Sequence, residues 1–364
     1  MENIITCFGE IMGRIEPEGF LRIRQGMPGH LTIGFFGAES SVAVSNMIMG
    51  RRSRYLTALP DNAIGDACED AIRRFGVDTS CIIRNNARMG LYFVETGANQ
   101  RPSNVIYDRA GSAVSQEDGT RYDWDAFFQG AAWFHISGIT PAISREASLA
   151  SLVAVKAAQE RGVTVSCDLN FRKKLWKWEP ETVPRDLAEK TMRELLPHVD
   201  VIIGNEEDAS DILQIKAGDT NVDSGHLAVD RYPDVAQQII QQFPNASKVA
   251  ITLRESLSAS HNNWGAMLYD GESRQACFAP LTEGQYRPYQ IKNIIDRVGG
   301  GDAFSAGLIY ALTDDELSQN LQDALDYAVA ASCLCHSIQG DFNYSTREDV
   351  ISLMKGNASG RVKR

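Results

Sequence analysis

Short apolar runs with strand character alternate with helix-period segments along most of this 364-residue chain, and that alternation predicts a parallel sheet covered by helices. Parallel neighbours need a crossover of a dozen or more residues between them, and the helical segments supply it. Val163, Val165, Cys167 and Leu169 alternate with polar residues as a strand would, and residues 199–204, 248–253 and 289–295 read as further strands. Elsewhere along the chain, Ile64, Cys68, Ile72 and Phe75 recur at helical spacing ahead of Gly76. A second helix runs from a Ser144 cap through Leu149, Leu152, Val153 and Ala157 to Gly162, and a third covers 321–338.

Residues 12–36 and 89–109 break the rhythm. They are rich in Gly, aromatic and β-branched residues, with little helical periodicity, and are expected to pair as a small projecting β-sheet, a candidate lid. The remaining segments, 1–11, 37–88 and 110–364, then form one α/β body. Residues 216–234 are polar and read as a surface insertion, and the tail from Lys355 is expected to fray.

The formal net charge of -11 weighs against nucleic acid and anionic membranes as partners. Without a signal-like start or a run of about 18 apolar residues, the expected location is the cytoplasm. Seven scattered cysteines fit a reducing compartment. Cys333, Cys335 and His336 fall inside a helical pattern, where positions two apart diverge, so they read as packed residues rather than metal ligands.

The richest segment is Asp296-Arg297-Val298-Gly299-Gly300-Gly301-Asp302-Ala303-Phe304, placed between a strand pattern and an apolar helix. Three glycines permit a tight turn that leaves amide N–H groups uncovered at a helix N-terminus, where an anion is favoured. A carboxylate beside them could remove a proton from an attacking hydroxyl. A plain turn with a capping Asp302 is the competing reading. A dinucleotide-binding turn fits poorly, because the Gly-x-Gly-x-x-Gly spacing is absent. Asp168 to Arg172, Asn205 to Asp208 and Thr252 to Arg254 each end a strand pattern. Together with Asp302 they put polar groups at the sheet edge where open α/β sheets bind ligands.

The glycine segment resembles the C-terminal signature of the ribokinase-like (PfkB) carbohydrate kinases. That resemblance implies a three-layer α/β/α sandwich with a mainly parallel sheet and a small β-sheet lid. It makes Asp302 the catalytic base, Gly299, Gly300 and Gly301 the anion hole, and Asp296 a neighbour of the nucleotide and of a monovalent cation such as K+. Asn170 and Arg172 match a motif whose arginine reaches the substrate. Asn205 and Asp208 match one that orders a magnesium–water network around ATP, with Asp208 where the family prefers Glu. Thr252 and Arg254 match the strand before the nucleotide loop. Gly37, Ala38 and Ser41 resemble the family's sugar-binding motif, with Phe36 replacing a Gly and Ser41 an Asn.

Residues 89–93 and 106–113, with Asn170 to Arg172, resemble the branch that phosphorylates 2-keto-3-deoxygluconate. The implied substrate contacts are Tyr92, Tyr107, Arg109, Arg172 and Asp341, the arginines taking the sugar's carboxylate. The implied reaction consumes ATP with Mg2+ and forms 2-keto-3-deoxy-6-phosphogluconate and ADP. The implied assembly is a homodimer or larger, joined through the lid. A neutral ketose or nucleoside kinase, of fructokinase or ribokinase type, and a non-catalytic sugar-binding regulator stay open as alternatives.

Overall fold

The computed structural model describes residues 3–216 and 228–356. Residues 217–227 of the expected insertion and 357–364 of the tail therefore lie outside the described residues. Asp234, at the far end of that expected insertion, already belongs to the helix Tyr232–Gln242.

A nine-stranded sheet forms the body. From one edge its order is Ser53–Leu56, Ile4–Phe8, Ala131–Ser137, Thr164–Asp168, Val201–Asn205, Lys248–Ser258, His261–Asp270 and Gln275–Ala279. Pairing is parallel from the first of these through Lys248–Ser258 and antiparallel beyond it. The ninth strand, Tyr289–Lys292, pairs antiparallel with residues 261–264. Both faces are buried, so neighbouring residues of one strand enter different cores. Ile202 and Val249 pack on one side with Leu187, Met192 and Ile239; Ile203 and Ala250 pack on the other with Val42, Phe304 and Val329. The helix capped by Ser144, Arg145–Glu160, forms as expected, with Ser144 Oγ accepting from the Ala147 amide. Its buried face is built mostly of small residues. Ala147, Ala150, Ala154 and Ala158 are buried, whereas Leu149 and Val153 are exposed, because small residues bring this helix close to the sheet.

The lid segments form a four-stranded mixed sheet ordered Thr32–Phe36, Met12–Glu16, Leu91–Glu95, Asn104–Asp108. Register assigns its two faces. Arg14 lies opposite Gly34 and Tyr92, and Tyr92 opposite Tyr107, on the inner face; Ile33, Ile15, Phe93 and Ile106 line up across all four strands on the other.

The strand expected over 248–253 continues to Ser258 and turns back at Ala259 and Ser260. Parallel pairing ends at Asn205 and Thr252, so Thr252 and Arg254 lie inside a long hairpin rather than at a strand end. Two hydrogen bonds join the hairpin tip to the lid: Ala259 N to Asn99 O at 2.8 Å, and Asn99 N to Ser260 Oγ at 3.0 Å. Among the described residues no helix is long and apolar enough to cross a membrane.

Candidate active site

The glycine turn is fixed from behind. Asp296 Oδ1 accepts the Val298 amide at 3.0 Å, and its Oδ2 accepts the Gly340 amide at 3.2 Å. Gly299 has φ +82, and a Cβ there would sit 2.4 Å from the Asp341 carbonyl oxygen, so no other residue fits without moving that backbone. Under Gly300 lies the His336 ring. Burial lowers the His336 pKa to about 4, so the ring is neutral, and its Nδ1 must carry the proton donated to Ser332 O, 2.8 Å away. Ser332 Oγ in turn donates to Gly300 O at 2.6 Å. A Cβ on Gly301 would meet nothing within 4 Å; that residue is exposed.

The helix Gly300–Leu312 starts at this turn. The amides of Gly300, Gly301 and Asp302 have no intrahelical acceptor, as at any helix start, and suit an anion. Asp302 borders the same cavity. Its carboxyl is pushed up to about 7, by burial first and then by the charges of Asp341 and Glu39, against a lowering by Arg172. A carboxyl with that value takes up and releases protons near neutral pH.

The cavity, about 340 Å³, collects almost all of the residues expected at a site. Gly37, Ala38, Tyr92, Tyr107, Arg109, Arg172, Asp302 and Asp341 line it, as do Asn170, Asn205, Asp208, Thr252, Arg254 and the three glycines. Two residues are not on its wall. Ser41 is fully buried in the helix Ala38–Met49, one turn further in than Gly37, which borders the cavity. Asp296 is 5% exposed and spends its carboxylate on the turn's amides and on Arg14.

Arg14, 1% exposed on the inner face of the lid, joins three acids: Glu16 at 2.6 Å, Asp296 at 2.5 Å and Asp341. Burial works against its charge, but Asp341 and Asp296 outweigh that and hold the guanidinium well above its ordinary pKa. Tyr92 Oη donates to the other oxygen of Asp341 at 2.7 Å. Asp341 nevertheless lies at about 6, because burial exceeds the lowering by Arg14. Arg109 pairs with buried Glu10 and stacks over Tyr107, 5.6 Å from the ring centroid. Arg172 is exposed at the cavity and lowers Asp168, Asp208 and Asp302 together.

Asp208 acts as a loop anchor. Its two oxygens accept the Phe171 amide at 3.0 Å and the Asn205 amide at 2.9 Å. The more available acid is Glu206, unrecognised in sequence. Glu206 lines the cavity; one of its oxygens pairs with Arg254 at 3.2 Å, and the other is buried with no partner. That orphaned oxygen fits a hydrated cation brought in with a ligand. Among the described residues no cluster of His, Cys, Asp or Glu is arranged to ligate a metal directly. Cys335 and His336 are buried, Cys333 is half-buried, and both cysteines are free thiols.

The model of the pfkB family of carbohydrate kinases matches residues 4–345. A 2-dehydro-3-deoxygalactonokinase of Haloferax volcanii is 30% identical, covering 98% of each chain. A 2-dehydro-3-deoxygluconokinase of Bacillus subtilis is 25% identical over 91% of this chain and 90% of its own. The crystal structure of a 2-dehydro-3-deoxygluconokinase from Thermotoga maritima superposes with a TM-score of 0.86 at 39% identity, over 97% of this chain and 100% of that one.

Proposed function

We propose, because this chain belongs to the pfkB family of carbohydrate kinases, that it transfers the γ-phosphoryl group of ATP to the 6-hydroxyl of 2-keto-3-deoxygluconate. The observation that carries this reading is one cavity lined by Asp302, at about 7, by the glycines whose helix amides lie open, and by Arg109, Arg172, Tyr92 and Tyr107. Arg109 is already offset by Glu10, but Arg172 has no ion pair among the described residues; the carboxylate of a keto-deoxy acid gives it one and a neutral sugar does not.

Asp302 takes the proton of the primary hydroxyl as the alcohol oxygen bonds to the γ-phosphorus. The bond to the bridging oxygen breaks, ADP leaves, and the amides of Gly300, Gly301 and Asp302 hold the transferring oxygens. Mg2+, when bound with the nucleotide, neutralises phosphate charge; Asn205 and Glu206 would hold it through water, over the loop that Asp208 anchors. K+ would sit near the Asp296 segment.

A coupled assay of ADP release tests the substrate. Expected kcat/KM on keto-deoxy acids exceeds that on fructose or ribose by roughly 10² or more. Comparable rates would defeat the assignment. The galactonate epimer belongs in the panel, since the Haloferax relative bears its name.

The lid's outer row, Ile33, Ile15, Phe93 and Ile106, includes two residues exposed at 62% and 49%. A second copy covering that row is the proposed assembly. Light scattering should show a dimer or larger species that Ile33→Glu with Ile106→Glu converts to monomer. A wild-type monomer at micromolar concentration would rule this out.

A further inference from the structure

Arg297 has an unusual place on the cavity wall. It directly follows Asp296, but the two side chains serve different sides: Asp296 is committed to Arg14 and the turn, whereas Arg297 lines the cavity. Its Nη2 donates to buried Asn262 Oδ1 at 2.8 Å, a neutral partner. Among the described residues it has no carboxylate partner. Arg254 shares the wall, and burial first, then the Arg254 charge, lowers the Arg297 pKa. Arg254 is offset by Glu206, so the uncompensated positive charge rests on Arg297. Holding one guanidinium partly desolvated beside another is costly unless an anion joins them.

Two further features point the same way. The Trp264 indole N–H, on the same wall and 4% exposed, is buried without a partner. One residue beyond Arg297 the turn begins whose amides await an anion. A fork of guanidinium donors next to those amides matches a second phosphoryl group, adjacent to the one being transferred.

Resting on the nucleotide-dependent reading above, we propose that Arg297 is a catalytic residue that grips the β-phosphoryl group of the nucleotide, with Arg254 and the Trp264 N–H beside it. As the bond between the γ-phosphorus and its bridging oxygen breaks, that oxygen keeps the electron pair and its negative charge grows. The Arg297 guanidinium stabilises this charge on the departing diphosphate, while the alcohol's proton passes to Asp302. Because that contact strengthens as the bond breaks, it accelerates the step as well as holding the nucleotide.

Calorimetric titration with inorganic tripolyphosphate and with ADP tests the site without any sugar. Arg297→Gln should bind both about 10-fold or more weakly, while near-ultraviolet circular dichroism stays unchanged. Arg297→Ala should lose kcat by roughly 10² or more and regain part of it in millimolar guanidinium. Tripolyphosphate affinity and kcat both unchanged in Arg297→Gln would overturn the proposal. If the Gln and Ala chains do not fold, Arg297→Lys decides: it should keep tripolyphosphate binding within a few-fold but lose kcat, and an unchanged kcat overturns. A wild type that binds tripolyphosphate through Arg297 yet phosphorylates no keto-deoxy acid would remove the substrate assignment and leave this site standing.

Discussion

Asp302→Asn lowers kcat by about 10² or more, with the KM values of ATP and sugar acid held within a few-fold. The amide keeps the shape and the place in the first helical turn but cannot accept the alcohol's proton. The wild type carries a matching pH signature. Its Asp302 lies near 7, so kcat/KM falls as pH drops below about 7, where the protonated acid cannot act as base. The limb moves with its causes. Asp341→Asn removes a neighbour that raises Asp302 and shifts the limb to lower pH, whereas Arg172→Met removes the one that lowers it and shifts the limb upward. Stability runs opposite to activity. A carboxyl raised above its unfolded value favours the folded chain when protonated and disfavours it when ionised, so Asp302→Asn unfolds at no lower denaturant concentration than wild type at pH 8. A near wild-type rate, or a profile flat between about pH 5 and 8, would remove Asp302 from the role of base.

The largest expected loss of stability follows from Arg14→Met. The side-chain volume is nearly kept, but Asp296, Asp341 and Glu16 lose a common cation inside a dry region. Removing one partner of a buried ionic cluster costs about 3–5 kcal/mol, read as a lower urea midpoint with an unchanged slope. Activity falls as well, because Asp296 holds the amides of Val298 and Gly340 and so shapes the turn. Arg14→Lys recovers only part, since a single ammonium cannot span acids on both sides of a guanidinium fork. A loss under about 1 kcal/mol in Arg14→Met would mean the acids simply take up protons and the cluster is not a structural anchor.

Why the α/β layering was legible and some of the site was not follows from what local pattern encodes. Alternation of strand and helix periods is a property of neighbouring residues, and a motif such as residues 296–304 carries its own turn, helix start and charge. Those readings survive intact in the sheet order and in the placement of Gly299 to Asp302. Pairings across the chain are different. Arg14 meets Asp341 over 327 positions and Asp296 over 282, and no spacing rule reaches that far. Arg14 did leave a faint trace, as a lone charge in the apolar run of residues 11–15. Glu206 was hidden by its acidic neighbours Glu207 and Asp208, and only the fold shows which of the three lacks a partner atom and which anchors loops. Arg297 carries no role in the sequence reading, because nothing local distinguishes a solvated arginine from one facing a cavity. That the buried face of Arg145–Glu160 is not legible in the sequence has a simpler cause. Hydropathy favours Leu149 and Val153, but close approach to the sheet favours alanine.

The contact between Asn99 and the Ala259–Ser260 turn closes a circuit. One arc runs through the sheet that carries Tyr92 and Tyr107, the other through the arm that carries Arg254 and Trp264. Neither arc can swing outward unless it drags its counterpart or gives up both bonds. Whatever settles against the first therefore alters the freedom of the second, and by thermodynamic reciprocity the two occupants must feel each other's arrival to the same degree.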